Sequence, residues 1–148
     1  MKKQIMPPTY FYLGIALIIL MHFIFPIRKI IFYPYTLIGL LLIILGTMLN
    51  ISAWLLFVKH KTTQNPFKNP NKFIINGIYK ISRNPMYLGM LIILFGLAIF
   101  LGSLVSFIFP LLFFIIMEKF YMPLEEKNME KLFGKKYLDY KEKVRRWI

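Results

Sequence analysis

The chain has 148 residues, of which 58% are hydrophobic and 18% aromatic, with a mean hydropathy of +0.61 and a net charge of +13. A soluble domain of this size cannot hide so much apolar surface, so the chain reads as one unit integral to a membrane. The lack of cysteine excludes disulfides, thiolate metal ligands and a cysteine nucleophile, and two isolated histidines make no metal cluster.

Tyr10 to Phe25 is apolar apart from His22 and is bracketed by Pro7-Pro8 and Pro26, which suit the ends of a helix. This first span, about 10–25, follows Met1-Lys2-Lys3 without a small-residue cleavage site and is expected to be retained. A second span covers 35–58, with Asn50 as its strongly polar interior group, and ends at Lys59-His60-Lys61. His22 and Asn50 are expected to be interhelical hydrogen-bonding groups. The segment 59–85 contains Asn65-Pro66, Asn69-Pro70 and Asn76-Gly77, which predict an irregular loop.

Tyr87 to Met117 runs 31 residues without a charge. One straight helix of that length would reach about 46 Å, well beyond a hydrocarbon core of roughly 30 Å. A hairpin turning at Gly102-Ser103 fits better, with spans at 86–101 and 104–122 and Pro110 kinking the second. After Pro123, the spacing of Met129, Phe133, Tyr137, Tyr140 and Val144 predicts an amphipathic helix over 123–146.

The charges are sorted along the chain. All six carboxylates lie in the last 31 positions, and residues 1–117 carry ten Lys/Arg and none. Four spans put 17 of the 19 basic residues on one side, leaving Arg28 and Lys29 opposite. By the positive-inside rule both termini, the loop and the tail are cytoplasmic, in the plasma (inner) membrane. The expected fold is therefore all-α and membrane-embedded: four transmembrane helices, the last two a hairpin, and a cytoplasmic amphipathic helix. Basic residues that flank apolar runs point to anionic lipid headgroups as partners, and not to nucleic acid.

Against the longest uncharged run stands a polar, glycine-bracketed island, Gly77 to Gly89, with Tyr79, Ser82, Arg83, Asn84, Pro85 and Tyr87. Its complement is the adjacent pair Glu125-Glu126. Together with Leu132-Phe133-Gly134, Tyr137 and Tyr140, these motifs occur in an order that resembles the isoprenylcysteine carboxyl methyltransferase and phospholipid methyltransferase superfamily, over roughly residues 60–148.

The resemblance implies an enzyme that transfers a methyl group from S-adenosylmethionine to a lipid-like acceptor entering from the bilayer through a lateral opening, without a metal. It implies cofactor contacts at Tyr79, Arg83, Asn84, Pro85, Tyr87, Glu125 and Glu126, with Arg83, Asn84 and Glu126 as the catalytic set. Asn84 stands where the family pattern often has histidine, and asparagine offers a hydrogen bond but cannot titrate near neutrality. The residue chemistry fits: an arginine fork matches the cofactor's carboxylate, a glutamate its ammonium or ribose hydroxyls, and tyrosines its adenine or cation.

The acceptor is left open between a prenylated cysteine, a phospholipid amine and an isoprenoid or quinone acid. Phospholipid N-methylation is the alternative within the resemblance; an NADPH-dependent membrane reductase and a non-enzymatic membrane scaffold are alternatives outside it. Glu118 is expected to pair with a lysine at the membrane surface, Tyr137 and Tyr140 to pack, and Arg145 and Arg146 either to meet an anionic headgroup or to be solvated.

Overall fold

Four apolar segments of this sequence become four helices, and the third sits at the centre. The computed structural model describes residues 5–25, 28–63 and 65–148; Lys2, Lys3 and Pro26, which the sequence reading used, lie outside the described residues. Helix α1 spans Pro7–Ile24 and begins with proline at its first position, where the missing N–H costs no hydrogen bond. Helix α2 spans Thr36–His60 and stops at Lys61, whose left-handed backbone directs its N–H to Phe57 and Val58 carbonyls. Among the described residues there is no strand.

Helix α3, Pro85–Leu101, again starts on a proline and ends at Gly102. Gly102 has φ +72° and donates to the Ala98 carbonyl at 3.0 Å, while its own carbonyl accepts from Ile30 N–H at 2.8 Å. The expected break at Gly102-Ser103 is thus a glycine helix stop pinned by the α1–α2 connection. Helix α4 then runs from Leu104 to Phe133, starting as a 3-10 turn over Leu104–Phe107. Pro110 falls in the first α-helical turn after it, near the start of this helix.

By length and composition α1, α2 and α4 could each cross a membrane, whereas α3 has 17 residues and is shorter. Thirty residues of α4 reach about 45 Å, and from Glu118 onward the helix carries charge, so its last part extends beyond its apolar segment.

The expected single helix over 123–146 is corrected by the structure. Residues after Pro123 continue α4 without interruption, through a π stretch at Met117–Tyr121, as far as Phe133. Gly134, with φ +51° and ψ −126°, then breaks the chain, and a separate helix α5 covers Lys135–Lys143. Proline at a helix interior was read as a start; here it falls where the π stretch has already altered the hydrogen-bond pattern.

Helix α3 buries far more of itself than its neighbours do. On one side Leu94, Tyr87 and Met90 form a core with Ile18 of α1 and Phe113, Met117 and Met122 of α4. On the other, α2 approaches through glycine: a Cβ on Gly46 would stand 2.7 Å from the Gly89 carbonyl, and one on Gly96 2.7 Å from the Gly39 carbonyl. Two glycines per helix, seven residues apart and antiparallel, thus set backbone against backbone, the usual source of membrane helix packing where water drives nothing. Gly89 therefore serves helix contact. Asn50, oriented to satisfy both its amide groups, joins the same pair by donating to the Met86 carbonyl (3.3 Å) and accepting from Met90 N–H (3.0 Å). His22, by contrast, has a buried Nδ1 without a hydrogen-bond partner among the described residues.

Candidate active site

The island begins with a 3-10 turn at Gly77–Lys80 and reaches α3 through Ser82, Arg83 and Asn84. What holds it is the last stretch of the chain. Arg83 N–H donates to the Arg145 carbonyl (3.0 Å), Asn84 Nδ2 donates to the Arg146 carbonyl (3.0 Å), and Ser82 Oγ accepts from Asn84 N–H (3.1 Å). The C-terminal segment therefore lies along the island as an irregular, hydrogen-bonded strap. Asn84 is buried and uses its amide donor here. The interaction needs a donor and no titration.

Glu126 is buried beside this strap and is ringed by cations. Arg146 grips it with a fork, Nε to Oε1 at 2.8 Å and Nη2 to Oε2 at 2.9 Å. Arg83 Nη2 lies 3.3 Å and Lys141 Nζ 3.7 Å from its oxygens. Burial opposes its charge, but the Arg146 hydrogen bonds and the three surrounding cations outweigh that and hold its carboxyl below the ordinary range. The third nitrogen of Arg146, Nη1, donates to Glu118, and Trp147 Nε1 donates to the other Glu118 oxygen at 2.8 Å. The lysine partner expected for Glu118 is therefore an arginine and a tryptophan.

The π stretch explains how one guanidinium reaches both acids. In an unbroken α-helix, side chains eight residues apart point about 80° away from each other. Glu118 and Glu126 are so separated, and the wider turn at Met117–Tyr121, which contains Glu118, reduces that angle.

Glu125 has a different neighbourhood. It is half-buried, and Tyr87 Oη donates to its Oε1. Among the described residues no cation pairs with it. Burial pushes its carboxyl up to about 7, with the Tyr87 hydrogen bond working against the rise and the Glu126 charge adding to it. Adjacent carboxylates thus stand in opposite states of compensation, because the surrounding cations reach Glu126 and not Glu125.

That cavity, of about 560 Å³, is lined at its polar end by Tyr79, Arg83, Asn84, Tyr87, Glu125 and Glu126. Of the residues expected in the site, Pro85 alone does not line it; buried at the start of α3, it sets the direction of the helix. Tyr137 and Tyr140, expected only to pack, also face the cavity, and Tyr140 Oη donates to the Tyr79 carbonyl at 2.5 Å. Burial, reinforced by the Glu125 charge, raises the Tyr79 phenol above its ordinary range, so it remains a neutral donor. Toward the membrane the cavity continues between α1 and α2, along Phe11, Tyr12, Ile51 and Trp54. These two helices flank α3 without packing closely on each other.

Two further features were missed in the sequence. Arg146 is the most connected side chain of the site, yet a basic residue two positions from the last one, in a basic tail, looks solvated. Phe73, in the turn-rich loop, packs on Phe133, Tyr137 and Tyr140 at ring-centre distances of 5.2, 5.7 and 5.3 Å and so ties the loop to α4 and α5. Only the short apolar run Phe73-Ile74-Ile75 within a turn-rich loop marked it.

Residues 35–136 match the phospholipid methyltransferase family. The chain belongs to that family. Its all-helical fold, with three helices long and apolar enough to cross a membrane among the described residues, is similar to a solved eukaryotic intramembrane Ras methyltransferase, isoprenylcysteine carboxyl methyltransferase, at a TM-score of 0.64 and 23% identity. The match covers 95% of this chain and 51% of that one, so the chain spans about half the length of this relative. No match is found among curated proteins.

Arg83 tests whether the cavity fits a cofactor of the kind such a family implies. Its side chain is nine-tenths buried, yet Nε and Nη1 have no hydrogen-bond partner. Buried guanidinium N–H groups left unpaired are costly. They lie on different edges of the guanidinium, so they call for two separate acceptor atoms of a ligand.

Proposed function

We propose that this protein transfers a methyl group from S-adenosylmethionine to a lipid-borne nucleophile that reaches the site through the cleft between α1 and α2. The observation that carries this reading is the convergence, on one cavity, of unpartnered Arg83 N–H groups, the uncompensated Glu125 carboxylate and an apolar passage toward the bilayer. The volume lies within the usual range for small-molecule sites, roughly 300–1,000 Å³.

In this reading Arg83 holds the cofactor's carboxylate, while Tyr79, Tyr87 and Asn84 shape its surroundings and Pro85 fixes the backbone beneath it. Glu126 locks Arg83 and Arg146 in place. When bound, the cofactor supplies a methyl group already activated on a sulfonium, so the protein's task is alignment and exclusion of water. The acceptor nucleophile is a carboxylate, as in isoprenylcysteine carboxyl O-methylation, or an amine, as in phospholipid N-methylation.

The chain crosses the plasma membrane four times, with both termini, the loop and α5 on the cytoplasmic side. Seventeen of 19 basic residues then share that face, where anionic lipid headgroups attract them.

The test is calorimetric titration of the detergent-purified protein with S-adenosylhomocysteine and, separately, with NADPH. Binding of the first is expected, abolished by Arg83→Ala and by Glu126→Gln. Binding of NADPH alone would overturn the assignment in favour of a reductase, and binding of neither would favour a scaffold.

A further inference from the structure

The strap that holds the island has no helix of its own. Helix α5 ends at Lys143, and residues 144–148 beyond it are irregular. Yet the strap's carbonyls fix the polar end of the cavity: that of Arg145 accepts from Arg83 N–H and that of Arg146 from Asn84 Nδ2, both at 3.0 Å. An irregular segment keeps such a place only through its side chains, because ordering its backbone costs entropy that no helical hydrogen bonds offset.

Val144, Arg146 and Trp147 supply that anchorage, while Arg145 is exposed. The Trp147 ring stacks on Phe114, with ring centres 5.1 Å apart and planes 30° apart, and its Nε1 donates to Glu118 at 2.8 Å. Phe114 belongs to the uncharged part of α4, where Leu111, Leu112 and Ile115 are exposed beside it as a lipid-facing surface. Glu118, one turn further on, is the first charged residue of that helix. Trp147 therefore joins the last apolar turn to the first charged one, ring against apolar side chains and N–H against a carboxylate. This is the two-faced setting that tryptophan occupies at membrane interfaces.

Arg146 is the neighbour of this anchor. Its guanidinium also bonds Glu118, and its carbonyl orients Asn84. The interfacial ring and the groups that orient Arg83 and Asn84 thus share adjacent peptide units.

We propose that Trp147 is a positioning residue for the methyl donor, through which the surrounding lipid interface acts as an effector of donor binding. The inference rests on the methyl-transfer reading above. With Trp147 seated on Phe114 and Glu118, the strap lies along the island and Arg83 keeps its place at the cavity. Without it, the strap loses one of its two side-chain bonds to Glu118, and Arg83 and Asn84 lose the carbonyls that orient them. Donor affinity then falls in proportion to the fraction of molecules whose strap is seated. By reciprocity, a bound donor seats the strap more firmly.

The experiment measures S-adenosylhomocysteine affinity for the full chain, Trp147→Ala and Trp147→Phe in nanodiscs of phosphatidylethanolamine and phosphatidylglycerol, and again in detergent micelles. A hydrogen bond to a charged acceptor is worth roughly one to two orders of magnitude in an equilibrium constant, so Trp147→Ala should weaken binding in nanodiscs by about 10- to 100-fold. Trp147→Phe keeps the ring contact without the N–H and should recover part of that loss. Transfer from nanodisc to micelle should weaken wild-type binding by about threefold or more and leave Trp147→Ala unaffected.

Two readouts separate this role from a general loss of stability. Without any ligand, Trp147→Ala should speed hydrogen exchange at the Arg83 amide by about tenfold or more, while the Leu94 amide within α3 keeps its wild-type rate. In a Trp54→Phe background Trp147 is the sole tryptophan, and lipids brominated near the headgroup should quench its fluorescence more than lipids brominated at the chain ends.

Wild-type affinity in Trp147→Ala, equal losses in the two variants, the same nanodisc-to-micelle change with and without Trp147, unchanged Arg83 exchange, or absence of quenching would each overturn the proposal. If Trp147→Ala does not fold, Trp147→Phe and the quenching decide it in the same way. Failure of the wild type to bind S-adenosylhomocysteine would overturn the methyl-transfer reading, and Arg83 exchange, which needs no ligand, would still judge the strap.

Discussion

Gly46→Ala puts one methyl group where α2 and α3 touch backbone to backbone. The new Cβ would stand 2.7 Å from the Gly89 carbonyl oxygen and 2.8 Å from Ile93 Cγ1, against 3.4 Å for the onset of ordinary contact. Backbone cannot give way as a side chain can, so the helices must part by about 0.6–0.7 Å, the shortfall between those distances. A gap of that size forfeits roughly a quarter to a half of each dispersion contact along the interface. Overpacking of this kind costs about 1–3 kcal/mol, offset by up to about 1 kcal/mol from the better helix propensity of alanine. We expect a net loss of about 1–2 kcal/mol, read from denaturant unfolding in mixed micelles. Leu45→Ala, one position away and facing outward, is the control and should change stability little. Gly89→Ala meets the Gly46 carbonyl at 2.8 Å and acts on the same contact, so the double variant should cost less than the two singles added. Wild-type stability of Gly46→Ala, or strict additivity, would refute the close glycine packing.

Two further outcomes follow from the strap. Asn84→Ala removes the 3.0 Å hydrogen bond to the Arg146 carbonyl and should cost about 1–2 kcal/mol in the same assay, whereas Asn84→His, which can still donate, should recover most of it; equal losses in both would exclude the donor role. Glu126 has a folded pKa below its ordinary 4.5, so its stabilising effect is present above that value and disappears as pH falls through the lower folded one. Thermal stability should therefore drop below about pH 4.5 in the wild type, and Glu126→Gln should flatten that limb; an unchanged acid limb in the variant would place the effect elsewhere.

The composition and the uncharged runs made the helices legible because length and apolarity are local properties. The stop at Gly102 was legible for the same reason: a glycine splits a run too long for one helix. The end of the last helix was not. Pro123 looked like a start, and only the preceding π stretch makes it an interior position of α4. The inward stripe of Phe133, Tyr137 and Tyr140 nevertheless survives the break at Gly134, because both helices turn it toward Phe73.

The island and the glutamate pair could be named from the sequence, since motifs keep their residue types and order. Which glutamate is compensated could not, because that depends on the partners each one meets across the fold. Arg146, twenty residues from Glu126, neutralises it only because the chain returns along the island. Sequence thus determined the membrane helices and the inventory of reactive groups. Tertiary structure decided that the C-terminal strap claims Glu126 and leaves Glu125 open to the cavity, since the energy of a buried charge is set by its neighbours in space and not by its neighbours in the chain.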